Sequence, residues 1–316
     1  MEFPSPNTAF VFPGQGSQAL GMGSELAKRS PLAAETFAEA NEILGYELSR
    51  ICWQGPEESL NETSNTQPAL MVHSVAVWRV LKAARPEISP SLVAGHSMGE
   101  LSALVASGSM SFEDALRLVR RRGELMKRAG EKSPGGMGAL LGLEIPVVEK
   151  ICADSSTGGE IVQIANDNCP GQIVISGDKQ ALERAMEQAL EAGARKAVPL
   201  AVSIAAHSPL MASAQADFIN AVDATPIQPA DIPVIGNVTA APLTSVAEIK
   251  GDLGAQLTSR VRWTETIEHM LSAGIQNFIE LGSGGVLSGL IKRIDRKSTR
   301  VPLGTPEDFA KLEITL

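Results

Sequence analysis

The serine at position 97 stands where its type and its neighbours could do chemistry. Residues 92–101 read Leu-Val-Ala-Gly-His-Ser-Met-Gly-Glu-Leu: a short apolar run, a Gly-x-Ser-x-Gly turn, and the start of a helix carrying Leu101, Leu104 and Val105. That order is a strand-to-helix elbow of the kind that exposes a nucleophilic serine. Gly95 and Gly99 remove the side chains that would collide where the chain folds back on itself. The first turn of the helix then offers unpaired N–H groups and a partial positive charge beside the serine oxygen, which suits a developing oxyanion. A serine also needs a general base, and the chain has four histidines. His96 lies inside the elbow and is expected to point away from the Ser97 oxygen. His73 and His269 fall within helical stretches, where His73 reads as a hydrogen-bonded core residue, so His207 is the expected base. An acid between serine and histidine would normally orient the imidazole, and Asp167 and Asp178 are the candidates.

The elements that must position these groups alternate along the chain. Ala9-Phe10-Val11-Phe12 reads as a buried strand entering the loop Pro13-Gly14-Gln15-Gly16-Ser17-Gln18. With Ala19 this loop satisfies a relaxed dinucleotide fingerprint, but no second βαβ strand with a terminal acid follows, so close backbone approach to a ligand is the reading kept. Helices are expected over 31–50, from about Ala69 to Leu81 after a turn-rich 61–68, and from Ser111 as N-cap with Leu116, Val119 and Leu125 on one face. Arg117, Arg120, Arg121, Arg122, Lys127 and Arg128 cover much of the rest of that last helix, which by itself reads as solvated surface. Ser133-Pro134-Gly135-Gly136 reads as a hinge. A βαββαβ order follows to Val202, the arrangement of a ferredoxin-like unit. After His207 strands and helices alternate again, ending in the loop Gly282-Ser283-Gly284-Gly285. The expected fold is α/β: a mainly parallel, hydrolase-like large domain over 1–134 and 206–316, with an inserted ferredoxin-like small domain over 135–205.

Composition narrows the class. With 316 residues, 44% of them hydrophobic, the chain can bury the core of an enzyme, and no apolar run is long enough to span a bilayer. The start Met1-Glu2-Phe3-Pro4-Ser5-Pro6 lacks the marks of a secretory signal and reads as a frayed extension, so the cytoplasm is the expected compartment. Cys52, Cys152 and Cys169 are odd in number and widely spaced, against both a disulfide framework and a metal site. A net charge of −9 argues against nucleic-acid binding, although a local basic patch can survive within it.

Several motifs in one order carry a resemblance. Phe12-Pro13-Gly14-Gln15-Gly16-Ser17-Gln18, Gly95-His96-Ser97-Met98-Gly99-Glu100, Arg122-Gly123, Ala206-His207-Ser208, Asn237-Val238 and Gln256-Leu257 together resemble the malonyl-CoA:acyl-carrier-protein transacylases and their acyltransferase-domain relatives, from about residue 7 to residue 295. The resemblance implies that Ser97 takes the acyl group, that His207 is base and later acid, and that the backbone N–H groups of Met98 and Gln15 form the oxyanion hole. It further implies that the main-chain carbonyl of Gln256, rather than an acid, orients His207, and that Arg122 holds the free carboxylate of a malonyl group. A planar, permanently charged fork suits a two-oxygen anion in a dry pocket. Malonyl-CoA and an acyl carrier protein are the implied partners. Coenzyme A enters as a thioester substrate, with no permanently bound cofactor and no metal. Such carriers are acidic and so is this chain, so docking should use a basic patch, for which Lys292, Arg293, Arg296 and Lys297, with Arg300, form the densest late cluster.

Three positions depart from the family pattern: Met98 where leucine is frequent, Arg260 where proline is common, and Ile204-Ala205-Ala206 ahead of His207. They bear on the acyl preference rather than the reaction, and an adaptable methionine beside the pocket leaves room for slightly larger acyl groups. Other readings are an α/β-hydrolase-type esterase or thioesterase, a non-catalytic carrier-docking subunit, and a family member serving a polyketide or malonate-decarboxylase carrier. A carboxylate on the histidine and no arginine clamp would mark the hydrolase.

Overall fold

The structure, a computed structural model, describes residues 3–202 and 204–316. It is an α/β fold with two mixed sheets. The strands are β1 Thr8–Phe12, β2 Leu92–Gly95, β3 Gly135–Leu141, β4 Val162–Cys169, β5 Gln172–Asp178, β6 Lys196–Pro199, β7 Val234–Ile235, β8 Pro242–Leu243, β9 Val261–Arg262, β10 Asn277–Leu281 and β11 Thr299–Leu303. The first sheet has the order β11-β10-β1-β2-β7-β8, parallel throughout except for the last pair. Both of its faces are covered, as the alternation in β1 records. Phe10 and Phe12 pack into the larger core with the helices Pro31–Leu44, Thr63–Ala84 and Phe112–Lys132, while Ala9 and Val11 pack into a second core with Trp263, Ile267 and Leu287.

The second sheet has the order β6-β3-β5-β4-β9. Its first four strands are antiparallel, and the helices Ile145–Ser155 and Lys179–Glu191 bury a separate core against them. The fifth strand, β9, comes from outside the 135–205 segment and pairs in parallel with β4. The stretch read as a hinge is a crowded junction: a Cβ on Gly135 would lie 2.6 Å from the Gly177 carbonyl oxygen and 2.7 Å from the Ala205 methyl carbon. The N-terminal stretch read as frayed begins with Met1 and Glu2, which lie outside the described residues. Phe3, however, is buried, and Ser5–Asn7 make a 3₁₀ turn into β1. Among the described residues no helix is long and apolar enough to cross a membrane.

The stretch read as turn-rich, 61–68, is instead largely helical, because the helix begins at Thr63 and carries Pro68 inside it. A proline has no N–H, so the Ser64 carbonyl loses its intrahelical donor. Arg120 replaces it: its Nη1 donates to Ser64 O at 2.8 Å and to Asn65 Oδ1 at 2.8 Å, with its Nε on Glu124 at 2.7 Å. A residue read as solvated surface thus completes the backbone of a neighbouring helix. Replacing Arg120 by Met should cost about 2 kcal/mol by leaving that carbonyl without a donor. Urea unfolding checks this, and an unchanged midpoint would rule the account out.

Candidate active site

The elbow is built by backbone contact. A Cβ on Gly95 would sit 1.9 Å from the Gly99 carbonyl carbon, and one on Gly99 would sit 2.3 Å from Phe12 O. Only hydrogens fit, which is why the turn carries glycine two positions either side of Ser97. The glycine loop docks against the same turn, since a Cβ on Gly14 would lie 2.4 Å from His96 O. Ser97 itself has φ of 52°, in the left-handed region that costs a non-glycine residue about 1–2 kcal/mol. Asn237 holds it there: its Oδ1 accepts from Ser97 N at 2.7 Å while its Nδ2 donates to Gly95 O at 2.8 Å.

His207 meets Ser97 across the fold. Its Nε2 is 2.8 Å from Ser97 Oγ, and its Nδ1 faces two carbonyls, Gln256 O at 2.9 Å and Ser259 O at 3.1 Å. Carbonyls only accept, so Nδ1 carries the proton, Nε2 offers its lone pair, and the Ser97 hydroxyl donates to it. This is the tautomer that can take the serine proton. His207 is also in the left-handed region, with φ of 58°, and Gln163 Nε2 ties its carbonyl at 2.8 Å. Neither aspartate candidate reaches it. Asp167 accepts from Thr264 Oγ1 at 2.6 Å and Asp178 from Ile161 N at 2.8 Å. His96 points away, as expected, with Nε2 2.8 Å from Asn168 Oδ1, and His73 is buried with Nε2 2.9 Å from Gly304 O.

Arg122 lies 1% exposed, so the surface reading of it fails. The sequence did carry a signal: Leu118, Arg122, Leu125 and Met126 follow the three- and four-residue spacing of the helix's buried stripe. Gly123 next to it lets the helix approach its neighbour, because a Cβ there would be 2.8 Å from Ser64 Cα. The guanidinium is fully directed. Nη1 donates to Gln67 Oε1 at 2.9 Å, Nε and Nη2 donate to Gln256 Oε1 at 3.1 and 2.7 Å, and Nη2 also reaches Ser97 Oγ at 3.2 Å. Gln256 therefore serves both partners, the histidine through its main chain and the arginine through its side chain. Gln67, Gln163 and Ser259 had no sequence signal, and Asn237 was noticed only within a motif.

A cleft of about 620 Å³ opens over this group, walled by Gln15, His96, Ser97, Arg122 and His207 on one side and by Met137, Asn166, Asn168 and Val174 of the second sheet on the other. The N–H groups of Gln15 and Met98 find no hydrogen-bond acceptor among the described residues. Of the late basic cluster, Lys292, Arg296 and Lys297 are exposed away from these groups. Arg293 instead bonds Gln172 Oε1 at 2.7 Å and Pro170 O at 2.9 Å, and so braces the second sheet.

Charge follows from burial. Burial and the positive charge of Arg122 push the His207 imidazole down from 6.5 to about 3, so it is a neutral base at neutral pH. Arg122 is lowered to about 10 by burial and stays charged. Burial pushes the thiols of Cys52 and Cys152 up to about 12, which makes them poor nucleophiles. No cluster of His, Cys, Asp and Glu among the described residues could hold a metal ion.

Known proteins share this chain's sequence and shape. The acyl transferase domain family matches residues 9–299. The malonyl CoA-acyl carrier protein transacylase of Bacillus subtilis is 46% identical over 299 residues, covering 95% of this chain and 94% of that protein. The crystal structure of malonyl-CoA:acyl carrier protein transacylase from Xanthomonas oryzae matches with a TM-score of 0.94 at 46% identity, covering 98% of each chain. A malonyl-transacylase solved in complex with a holo type II polyketide synthase acyl-carrier protein matches at 0.93 and 42% identity, over 96% of this chain and 98% of that one.

The pH dependence of acylation should show a base that stays neutral. The unfolded chain takes up the His207 proton at 6.5 and the folded chain only at about 3, so between those values both the activity and the fold behave as for a group that resists protonation. The second-order rate of Ser97 acylation should stay flat as pH falls from 7 to about 5, and Arg122→Gln should move the acid limb upward. His207's contribution to stability, full above 6.5, should fade as pH drops through this window. A break near 6.5 in the parent profile would contradict the assignment.

Proposed function

The chain belongs to the malonyl-CoA:acyl-carrier-protein transacylases of the acyl transferase family, and from that premise we propose how its own residues move a malonyl group from coenzyme A to the phosphopantetheine thiol of a carrier protein. In the first half, the Ser97 hydroxyl gives its proton to His207 Nε2 as Oγ attacks the thioester carbonyl. The negative charge that builds on the carbonyl oxygen is met by the N–H groups of Met98 and Gln15. Collapse breaks the carbon–sulfur bond, and the departing thiolate takes the proton back from His207. In the second half the carrier thiol gives its proton to His207, attacks the malonyl-Ser97 ester, and Ser97 leaves with that proton. Two carbonyls on Nδ1 stabilise the imidazolium in passing without fixing it as a cation.

The observation that carries this reading is the placement of Arg122, a buried cation with one nitrogen 3.2 Å from Ser97 Oγ and the rest of its fork held by Gln67 and Gln256. A carboxylate two bonds beyond the scissile carbonyl would meet that charge in a cleft that admits little water. The esterase reading lacks support on both counts, because His207 has carbonyls in place of an acid and the arginine is present. An intact serine, base and clamp likewise argue against a non-catalytic subunit.

Two coarser features belong to the same proposal. We read residues 135–205 as a ferredoxin-like domain inserted into a hydrolase-like large domain of 1–134 and 206–316. The antiparallel order β6-β3-β5-β4, with its two helices on one core, favours that reading. A cytoplasmic location fits three buried free thiols, the state kept by a reducing compartment. For the carrier, the exposed Lys292, Arg296 and Lys297, with Arg293 beside them, are the proposed docking charges.

Incubation with malonyl-CoA should add a malonyl mass to Ser97, and a phosphopantetheinylated carrier should discharge it. Arg122→Ala should lower the malonyl-over-acetyl preference by at least about 100-fold, since a charge-assisted pair is lost from a buried site. An unchanged preference would remove the clamp. Reversing charge at Lys292 and Lys297 should slow transfer to the carrier and weaken its salt dependence while leaving acylation by malonyl-CoA intact. Transfer as fast as in the parent would place docking elsewhere.

A further inference from the structure

Behind the arginine lies a carboxyl that the reaction does not use. Glu100, in the first turn of the helix Gly99–Ala106, is fully buried, and its Oε2 accepts from Gln256 Nε2 at 2.6 Å. Its other oxygen, Oε1, is buried with no hydrogen-bond donor, which an ionised carboxylate could not tolerate at this depth. Glu100 also shares a side-chain hydrogen bond with Asp252, on the helix Val246–Gln256. Asp252 already accepts three donors, Thr239 N and Oγ1 at 3.0 Å each and Val238 N at 3.2 Å. Gly236 makes room for it, as a Cβ there would lie 2.6 Å from Asp252 Oδ1. With Asp252 supplied as acceptor, the proton of the shared bond belongs to Glu100.

We propose that Glu100 is a positioning residue that acts as a neutral carboxylic acid, donating to Asp252 and accepting from Gln256, and that it thereby fixes the side-chain amide of Gln256 and the fork of Arg122. This rests on the malonyl-carboxylate role of Arg122 argued above. The logic is one of direction. An amide can face either way round, but here Gln256 has an acceptor on one side, Glu100 Oε2, and the donors of Arg122 on the other. Only one orientation satisfies both, with Nε2 toward Glu100 and the Ser97 carbonyl, 3.2 Å away, and Oε1 toward Arg122. Turned over, Gln256 would set N–H groups against the guanidinium.

Neutrality matters as much as direction. An ionised Glu100 would draw on the charge of Arg122 that the substrate carboxylate needs. Burial, reinforced by the nearby Asp252 carboxyl, raises the Glu100 carboxyl well above its ordinary range, against the Gln256 side chain and the Asn237 backbone, which favour ionisation.

The test compares Glu100→Gln, which can both donate to Asp252 and accept from Gln256, with Glu100→Ala, which can do neither. Glu100→Gln should keep the second-order rate of malonyl-CoA acylation within about 3-fold of the parent, whereas Glu100→Ala should lose at least about 10-fold, a tenfold loss being the scale of one hydrogen bond to a charged network. Acylation by acetyl-CoA, which brings no carboxylate, should change much less in both. Equal losses for malonyl and acetyl, or a Glu100→Gln variant as impaired as Glu100→Ala, would overturn the proposal. Infrared difference spectra of parent against Glu100→Gln give a reading that does not depend on how Glu100→Ala folds. A protonated carboxyl band at neutral pH, lost in the variant, is expected, and its absence would overturn the proposal by itself. If Arg122→Ala left the malonyl preference unchanged, the clamp reading would fall, while the infrared band would still decide the state of Glu100.

Discussion

Gln256 is the residue through which the serine, the base and the arginine become one site. Its main-chain oxygen receives the His207 Nδ1 proton at 2.9 Å, its side-chain oxygen takes two bonds from Arg122, and its Nε2 reaches back to the carbonyl of Ser97. Its place at the C-terminal end of the helix Val246–Gln256 makes this double duty available. Helix ends leave their last carbonyls without intrahelical donors. A residue in the middle of a helix could offer its side chain but not its carbonyl.

The absence of an acid on His207 then has an electrostatic sense. A carboxylate at Nδ1 would raise the imidazole's proton affinity and would also draw the nearby guanidinium toward itself. Neutral carbonyls orient the ring and leave Arg122 as the uncompensated charge facing the cleft, while that charge and burial keep the base unprotonated. Serine activation and carboxylate recognition can thus share a few cubic ångströms without cancelling each other.

The site also holds two residues in strained backbone, Ser97 and His207, each secured by a side-chain amide from elsewhere. Asn237 follows β7 and grips the elbow, and Gln163 comes from β4 and grips the histidine carbonyl. The two sheets therefore meet at the chemistry through hydrogen bonds as well as through the cleft walls. Strain at reacting residues persists where the surroundings over-determine it, and here those surroundings are amide side chains from β4 and the loop after β7.

Much of this was legible before any coordinates. The elbow glycines, the strand at residues 9–12 and the alternation of helices and strands are short-range features, each written in a few adjacent residues whose sterics or periodicity admit one backbone path. His207 followed because so few histidines are present, and the ordered motifs carried the family resemblance. What only the tertiary structure decided depends on partners distant in sequence. Arg122 read as surface because five other basic residues flank it, and its burial is settled by packing against the helix Thr63–Ala84. The helical start at Thr63 read as a turn because Pro68 lacks a donor, and the missing bond is supplied from Arg120. The neutral contacts of His207, the amides that brace it and the buried Glu100 pair join groups up to 156 residues apart. Local sterics and hydrophobic period are carried by neighbouring residues and can be read from them. The direction of a hydrogen bond or the state of a buried charge depends on what the folded chain brings alongside.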